Sequence, residues 1–395
     1  MKMARNLAFA IIILINCLFS FKYLERYTDH YLGLTILYLF VQVFLIVLYK
    51  RIEKRKLIQV SLLSGLILIP ILIAIYSFIY IDPMELNVDR WSVIDSFWNQ
   101  LLSGRYPYYA VSHMGNIPGP MPFYYLVALP FYLTNTYSFL SAIGCLVFIF
   151  FLFKELNLSL IPISVIISIF SLVTFYEIVV LSNLFTFSVL VAIALFYFEK
   201  RFRKESKGIL INAIILGLLL ATRSVYSLAY VVFFISFLKT RMINVRQAAA
   251  YSAIILTSFV LTFVPLLLFY FDDFFKMNPF IVQSSFLLPA SLIPLLFIIA
   301  VIFGFLAKTT WQRFLYSGFT IFLSILIYAI YLISQYGFLE ALYQSKIDIS
   351  YFIFSIPFLL IGKLTFTKKI NIDQIANSGY ATGSFHNLQL SKPQQ

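Results

Sequence analysis

Charge is what this sequence lacks. Of its 395 residues only 11% are Asp, Glu, Lys or Arg, less than half the share of about a quarter seen in ordinary soluble domains. A water-facing surface for so long a chain cannot be covered with so few charges, which excludes a soluble globular protein. Long polar stretches are also missing. Outside residues 82–120 and the last thirty or so, no hydrophilic run is long enough to build a second core, so one membrane domain over residues 1–363 is expected, followed by a mobile, disordered tail over 364–395. Cysteine is scarce as well. Cys17 and Cys145 are the whole complement and both sit in apolar runs, which excludes a disulfide framework and a cysteine metal site. Cys17 follows Leu14, Ile15 and Asn16, and Asn16 is not the small residue that a lipoprotein cleavage box needs. No small-x-small cleavage site follows the first apolar run either, so that run is expected to be retained as a span.

The net charge of +13 would suit a nucleic-acid partner. Its placement argues otherwise. The basic residues stand in short clusters between apolar runs, as in Lys50-Arg51-Ile52-Glu53-Lys54-Arg55-Lys56 and from Lys200 to Lys207, the pattern of cytoplasmic loops in a membrane protein. Membrane lipid is the expected partner, and nucleic acid is not.

What the sequence has is apolar length. Hydrophobic residues make up 62% of it, with 44 Phe and 27 Tyr, and runs close to the roughly 20 residues that cross about 30 Å of hydrocarbon recur throughout. The expected spans are 7–21, 31–49, 57–81, 137–153, 158–175, 182–199, 208–222, 224–238, 247–271, 286–306, 314–334 and 349–363. The fold class is therefore an all-α polytopic membrane bundle of about 12 spans. Residues 121–134 hold two prolines and are short, which predicts an interfacial or re-entrant piece rather than a crossing. With both termini cytoplasmic the two basic clusters fall inside, and residues 82–120 fall outside. No internal repeat is visible, which weakens a transporter built from duplicated halves.

The expected outer loop is unusual. It carries Asp82, Glu85, Asp89, Arg90, Asp95, Arg105, His113 and Asn116, together with Trp91, Trp98 and several tyrosines. Trp91, Ile94, Trp98 and Leu101 fall on one helical stripe with Asp95 and Asn99 opposite, predicting an interfacial amphipathic helix. Loops this long are more often functional than merely connecting. Polar residues at span ends on the same side are Glu177, Asn183, Thr222, Arg223, Asp272, Asp273, Asn278, Gln283 and Asp348. Ionisable groups there are costly unless paired or solvated, so they often line a site.

The stretch from Asp89-Arg90-Trp91 to Gly104-Arg105-Tyr106-Pro107-Tyr108, then Pro118-Gly119-Pro120-Met121-Pro122-Phe123-Tyr124-Tyr125, resembles the first outer loop of the GT-C membrane glycosyltransferases, in their mannosyltransferase-like branch. Thr222-Arg223-Ser224 is similar to a Thr-Arg turn of that branch. The resemblance covers about residues 80–130 and is otherwise one of hydropathy alone. Two spans precede the loop-bearing one where the family usually has one, and Asp89 is followed by Arg90 rather than by a second acid.

The resemblance implies inverting transfer of a sugar from a polyprenyl-phosphate donor to an acceptor glycan, lipid or protein at the non-cytoplasmic face of a bacterial-type inner membrane. Such a transfer needs a carboxylate to take the acceptor's proton, for which Asp89 is the candidate. The departing lipid phosphate needs a fixed cation; Arg223 is the first candidate, followed by Arg90 and Arg105. His113, Glu177, Asn183, Gln283 and Asp348 are candidate substrate-binding residues. No cofactor and no metal are expected. A transporter or flippase of lipid-linked sugars and a membrane polysaccharide polymerase or ligase are the alternatives.

Overall fold

The structure is a computed structural model that describes all residues except 1, 27, 53–55, 156–170, 204–207, 288, 344–346 and 367–395. Among the described residues every regular element is helical. In chain order the helices are α1 (Lys2–Leu24), α2 (Tyr31–Ile52), α3 (Lys56–Tyr80), α4 (Arg90–Leu102), α5 (Pro122–Leu133), α6 (Tyr137–Glu155), α7 (Leu172–Val179), α8 (Leu184–Arg203) and α9 (Ile209–Leu220). They continue as α10 (Ser227–Lys239), α11 (Val245–Leu261), α12 (Val264–Phe269), α13 (Phe271–Lys276), α14 (Pro279–Leu287), α15 (Ile293–Leu306), α16 (Thr310–Tyr336) and α17 (Phe338–Tyr343). A 3-10 turn, Ile349–Ser355, then leads into the last helix, α18 (356–366).

Among the described residues four continuous helices are long and apolar enough to cross a membrane: Asn6–Leu24, Tyr137–Glu155, Thr310–Tyr336 and Ile349–Phe366. The bent pair α7–α8 makes a fifth if it is one span. Several expected spans are interrupted helices instead, and the reasons are local. The expected run 247–271 breaks after Leu261 because Pro265 has no N–H to give and its ring crowds the carbonyl four residues back, so α12 starts afresh around it. The run 286–306 starts on the last residues of α14, passes through a 3-10 turn at Ala290–Leu292 and becomes α15 only at Ile293, with Pro294 in its first turn. Residues 121–134 form the 12-residue α5, about 18 Å long at 1.5 Å per residue and too short to cross. Most of the expected span 158–175 and nearly all of the expected tail 364–395 lie outside the described residues.

Large apolar side chains face outward along several helices. On α2, Leu37, Phe40 and Phe44 are 59%, 67% and 61% exposed, which is affordable only against hydrocarbon. Between α1 and α2 the contact is polar, with Asn16 Nδ2 donating to Gln42 Oε1 at 2.8 Å and Ser20 paired with Thr35 at 3.0 Å. Such side chains act as glue between helices where the hydrophobic effect offers little.

The last span is the central post. Of the Ile349–Phe366 window 83% is buried, and Phe358, Leu359, Leu360 and Ile361 have no exposed surface. Small residues allow α16 to close on it. A Cβ at Gly362 would stand 2.7 Å from the Leu315 nitrogen and 3.0 Å from the Trp311 oxygen, both backbone atoms that cannot move aside. At the end of the bundle opposite the 82–120 segment, Arg313 is wholly buried and grips Glu199 with two nitrogens (3.0 and 2.6 Å), while its third reaches Ser236 Oγ at 2.9 Å. Gly362→Ala should therefore lower the thermal midpoint of the purified protein, overpacking costing about 1–3 kcal/mol. Arg313→Leu, which takes the guanidinium away from the buried Glu199 carboxylate, should cost more, about 3–5 kcal/mol; a melting curve in detergent checks both.

Candidate active site

The loop-bearing end is organised around the start of α4. Asp89 occupies its N-cap position without capping it by its side chain. Its Oδ2 instead accepts hydrogen bonds from Ser112 Oγ and Asn116 Nδ2, each at 2.7 Å. Those two donors are brought together by a tight turn in which Ser112 N bonds the Asn116 carbonyl (2.8 Å) and Gly115 N bonds that of Ser112 (2.9 Å). Gly115 has φ +82°, a backbone conformation that glycine adopts without penalty. The carboxylate is thus fixed through one oxygen, and among the described residues Oδ1 has no hydrogen-bond donor.

Arg90, the next residue, points the other way and is buried. Its Nη1 donates to Ser182 Oγ at 2.7 Å and lies 3.6 Å from Glu177 Oε1. Its Nη2 donates to Asp348 Oδ2 at 2.6 Å and to Ser350 Oγ. The break between α7 and α8, a bend of 114°, is what supplies half of these partners. Glu177, 1% exposed, accepts from Ser182 Oγ and, through Oε2, from Phe185 N in the first turn of α8 at 3.1 Å. A carboxylate at a helix N-terminus satisfies donors that the helix itself cannot. One guanidinium therefore ties α4 to the α7–α8 break and to the start of the last span. Burial would push the Asp348 carboxyl up, but the Arg90 charge, then Ser350 and Lys22, bring it below its ordinary value of 3.8.

Arg223 stands in a different setting. The Thr-Arg turn is joined to the lead-in of α5 by backbone bonds from Met121 N to the Thr222 carbonyl and from Phe123 N to that of Ala221, both 3.1 Å. Its guanidinium lies 5.7 Å from the ring centres of Tyr124 and Phe354 and 6.0 Å from that of Tyr351. No carboxylate pairs with it among the described residues, and its Nε is buried without a hydrogen-bond partner. Three aromatic faces hold the cation and leave donors unspent.

Asp89, Arg90, Arg223 and Asp348 all line one cavity of about 560 Å³, together with Lys22 and Tyr176. A second space of about 270 Å³ adjoins it and is mainly apolar, with Leu228, Phe280, Leu296, Phe297, Ile325 and Phe354 in its walls. Arg223, Tyr328 and Tyr351 belong to both. A polar chamber thus opens onto a greasy groove, and an unpaired guanidinium stands at the junction.

The other expected site residues are placed elsewhere. Arg105 is exposed and lines neither space. Arg90 lines the polar cavity, yet both its terminal nitrogens are engaged by protein acceptors, which leaves it a structural tie rather than a phosphate ligand. His113 stacks on Trp91 and bonds Ser92 Oγ (2.6 Å) and the Leu86 carbonyl (2.9 Å), outside the cavity walls. Glu177 and Asn183 are buried behind those walls, Asn183 accepting from Tyr124 OH at 2.8 Å. Gln283 lines the apolar groove and is spent as a latch, donating to the Gly119 carbonyl (2.7 Å) and accepting from Ser224 N and Oγ (3.1 and 2.6 Å). The amphipathic helix forms as expected, but Trp98 turns inward, 7% exposed, and donates to the Tyr125 carbonyl at 3.2 Å. Sequence reasoning missed Lys22, Tyr23, Tyr176 and Tyr328. The signal for Lys22 was present, a lysine in the last turn of an apolar first span at the end where basic residues are disfavoured. Among the described residues no group of three or more His, Cys, Asp or Glu gathers as a metal site.

Asp348 contributes stability above its ordinary value and loses it as pH falls through the lowered one. Wild-type protein should therefore melt at progressively lower temperature below about pH 4, and Asp348→Asn should be less stable at pH 7 but flatter over that acid range. A scan of melting temperature against pH that leaves the two curves parallel would remove Asp348 from this role. No protein-family model matches the chain, and neither a curated protein nor a solved structure does.

Proposed function

We propose that the chain is an inverting membrane glycosyltransferase that takes its sugar from a polyprenyl-phosphate donor. What carries this reading is the junction at Arg223, where a cation without a protein counter-ion stands between a polar chamber and an apolar groove. A ligand that satisfies all three features has an apolar tail, an anionic group at the tail's end and a polar body beyond it. A lipid phosphosugar has that order of parts. The groove would take the first isoprene units, Arg223 the phosphate, and the tyrosine-lined chamber the sugar.

In the reaction the acceptor hydroxyl attacks the anomeric carbon from the face opposite the phosphate. The carbon–oxygen bond to the phosphate breaks, its electron pair stays on the departing lipid phosphate, and the acceptor's proton passes to Asp89. Arg223 stabilises the second negative charge that develops on the phosphate. Asp89 is suited to the base's part because Ser112 and Asn116 hold one carboxylate oxygen and leave the other toward the cavity. The basic clusters at 50–56 and 200–207 support a non-cytoplasmic chamber by the positive-inside rule.

The test is a proteoliposome assay with a radiolabelled decaprenyl-phosphate sugar. Label should appear in a new product, Asp89→Asn should lower that rate by about 10²–10⁴-fold while the protein still folds and inserts, and Arg223→Ala should weaken use of the donor. Label that crosses the bilayer unchanged would make the chain a flippase instead.

A further inference from the structure

The polar chamber has a second basic wall that the donor does not use. It is built by the end of α1, where Lys22 and Arg26 both line the cavity. Lys22 is 2% exposed, and its ammonium makes one hydrogen bond, to the Ile347 carbonyl at 2.9 Å. It has no carboxylate in ion-pair contact among the described residues. An ammonium carries three donors, so two remain for the chamber. Lys22 and Arg26 flank the ring of Tyr23 at 5.9 and 5.2 Å, and Tyr23 rests against Tyr176 at 4.4 Å between ring centres.

The charges of the chamber sort themselves by contact. Arg90 is bound to Asp348 and Glu177, and Arg223 is assigned above to the donor phosphate. Holding a buried ammonium with a single neutral acceptor is costly unless an anion completes it. Lys22 also acts on Asp348 through space, but that carboxylate is already engaged by Arg90 and Ser350. Arg26, 5.2 Å from the same ring, adds a second positive charge to this wall.

We infer that the Lys22–Arg26 wall is a second anion subsite, and that it takes an acidic group, a phosphate monoester or a carboxylate, on the acceptor of the transfer. Naming the ligand as the acceptor rests on the transferase reading, whereas the anion subsite itself does not. The acid group docks at Lys22 and Arg26, leaving a hydroxyl of the same molecule to face Asp89. Phosphate on a soluble molecule and phosphate on a lipid present the same chemistry to this wall.

The experiment titrates full-length protein in nanodiscs with three probes: decaprenyl phosphate for the donor side, sn-glycerol 3-phosphate as a soluble phosphate monoester, and phosphatidic acid as a lipid one. Lys22→Met/Arg26→Gln should lose at least about tenfold in affinity for whichever monoester binds. Its loss for decaprenyl phosphate should be much smaller. Arg223→Gln should show the reverse pattern, and Lys22→Arg, which keeps the charge, should retain monoester binding if Lys22→Met proves unstable. The soluble and lipid probes separate a water-borne acceptor from one in the bilayer. Monoester binding that is absent, or that survives in the double variant, overturns the subsite and leaves Lys22 as a counter-charge for Asp348. Decaprenyl phosphate that binds independently of Arg223 counts against the donor reading and leaves the second subsite standing.

Discussion

Everything at the loop-bearing end depends on the burial of one charge, that of Arg90. A guanidinium taken out of water is tolerable only if its donors are met and its charge is balanced. Here the partners come from two other parts of the chain, Glu177 and Ser182 at the α7–α8 break and Asp348 and Ser350 at the start of the last span. The requirement therefore fixes three elements against each other. It bends one apolar helix pair through 114°, seats α4 on the bundle, and sets Asp89 at the chamber's edge as the residue before Arg90. The two cations of the site divide the work by environment. Arg90, enclosed by carboxylates and hydroxyls, is spent on structure, whereas Arg223, beside three aromatic rings, has no carboxylate partner among the described residues and is the proposed ligand for a phosphate.

The same division explains why the chamber and the groove can coexist. The aromatic faces beside Arg223 offer it no competing anion, so its charge acts where the two spaces meet. Gln283 closes the outer side by bonding Gly119 and Ser224 at once. Nothing in this arrangement needs a midplane site open to both faces, which is what alternating access would require. The charged residues that line the chamber gather at the loop-bearing end of the bundle, which fits the proposed transfer at a membrane surface.

Much of this was legible in the sequence, and the rest was hidden for identifiable reasons. The scarcity of charge and the apolar runs gave the membrane class, and the Trp-rich period gave α4 and its boundaries within a residue. The resemblance at Asp89 and at Thr222-Arg223 pointed to two groups that line the same chamber. Span count was less accessible, because hydropathy averages over Pro265 and Pro294, which stand in the first turns where new helices start without making a segment polar. Arg90, Arg105 and His113 looked alike as polar loop residues. What separates them is their tertiary partners, and a chain position cannot reveal that Asp348, 258 residues on, lies beside Arg90. The inward turn of Trp98 has the same origin, since its partner carbonyl belongs to Tyr125 on α5.

The proposed function requires Arg223 to receive a lipid phosphate whose tail lies in the adjoining groove. An electron cryo-microscopy structure of the protein in nanodiscs with decaprenyl phosphate tests it most directly. The account predicts phosphate density within hydrogen-bond reach of the Arg223 guanidinium, about 2.7–3.2 Å, and chain density running between Leu296 on α15 and Ile325 on α16. Phosphate density bound at another basic residue, with the groove beside Arg223 empty of lipid chain, would contradict it.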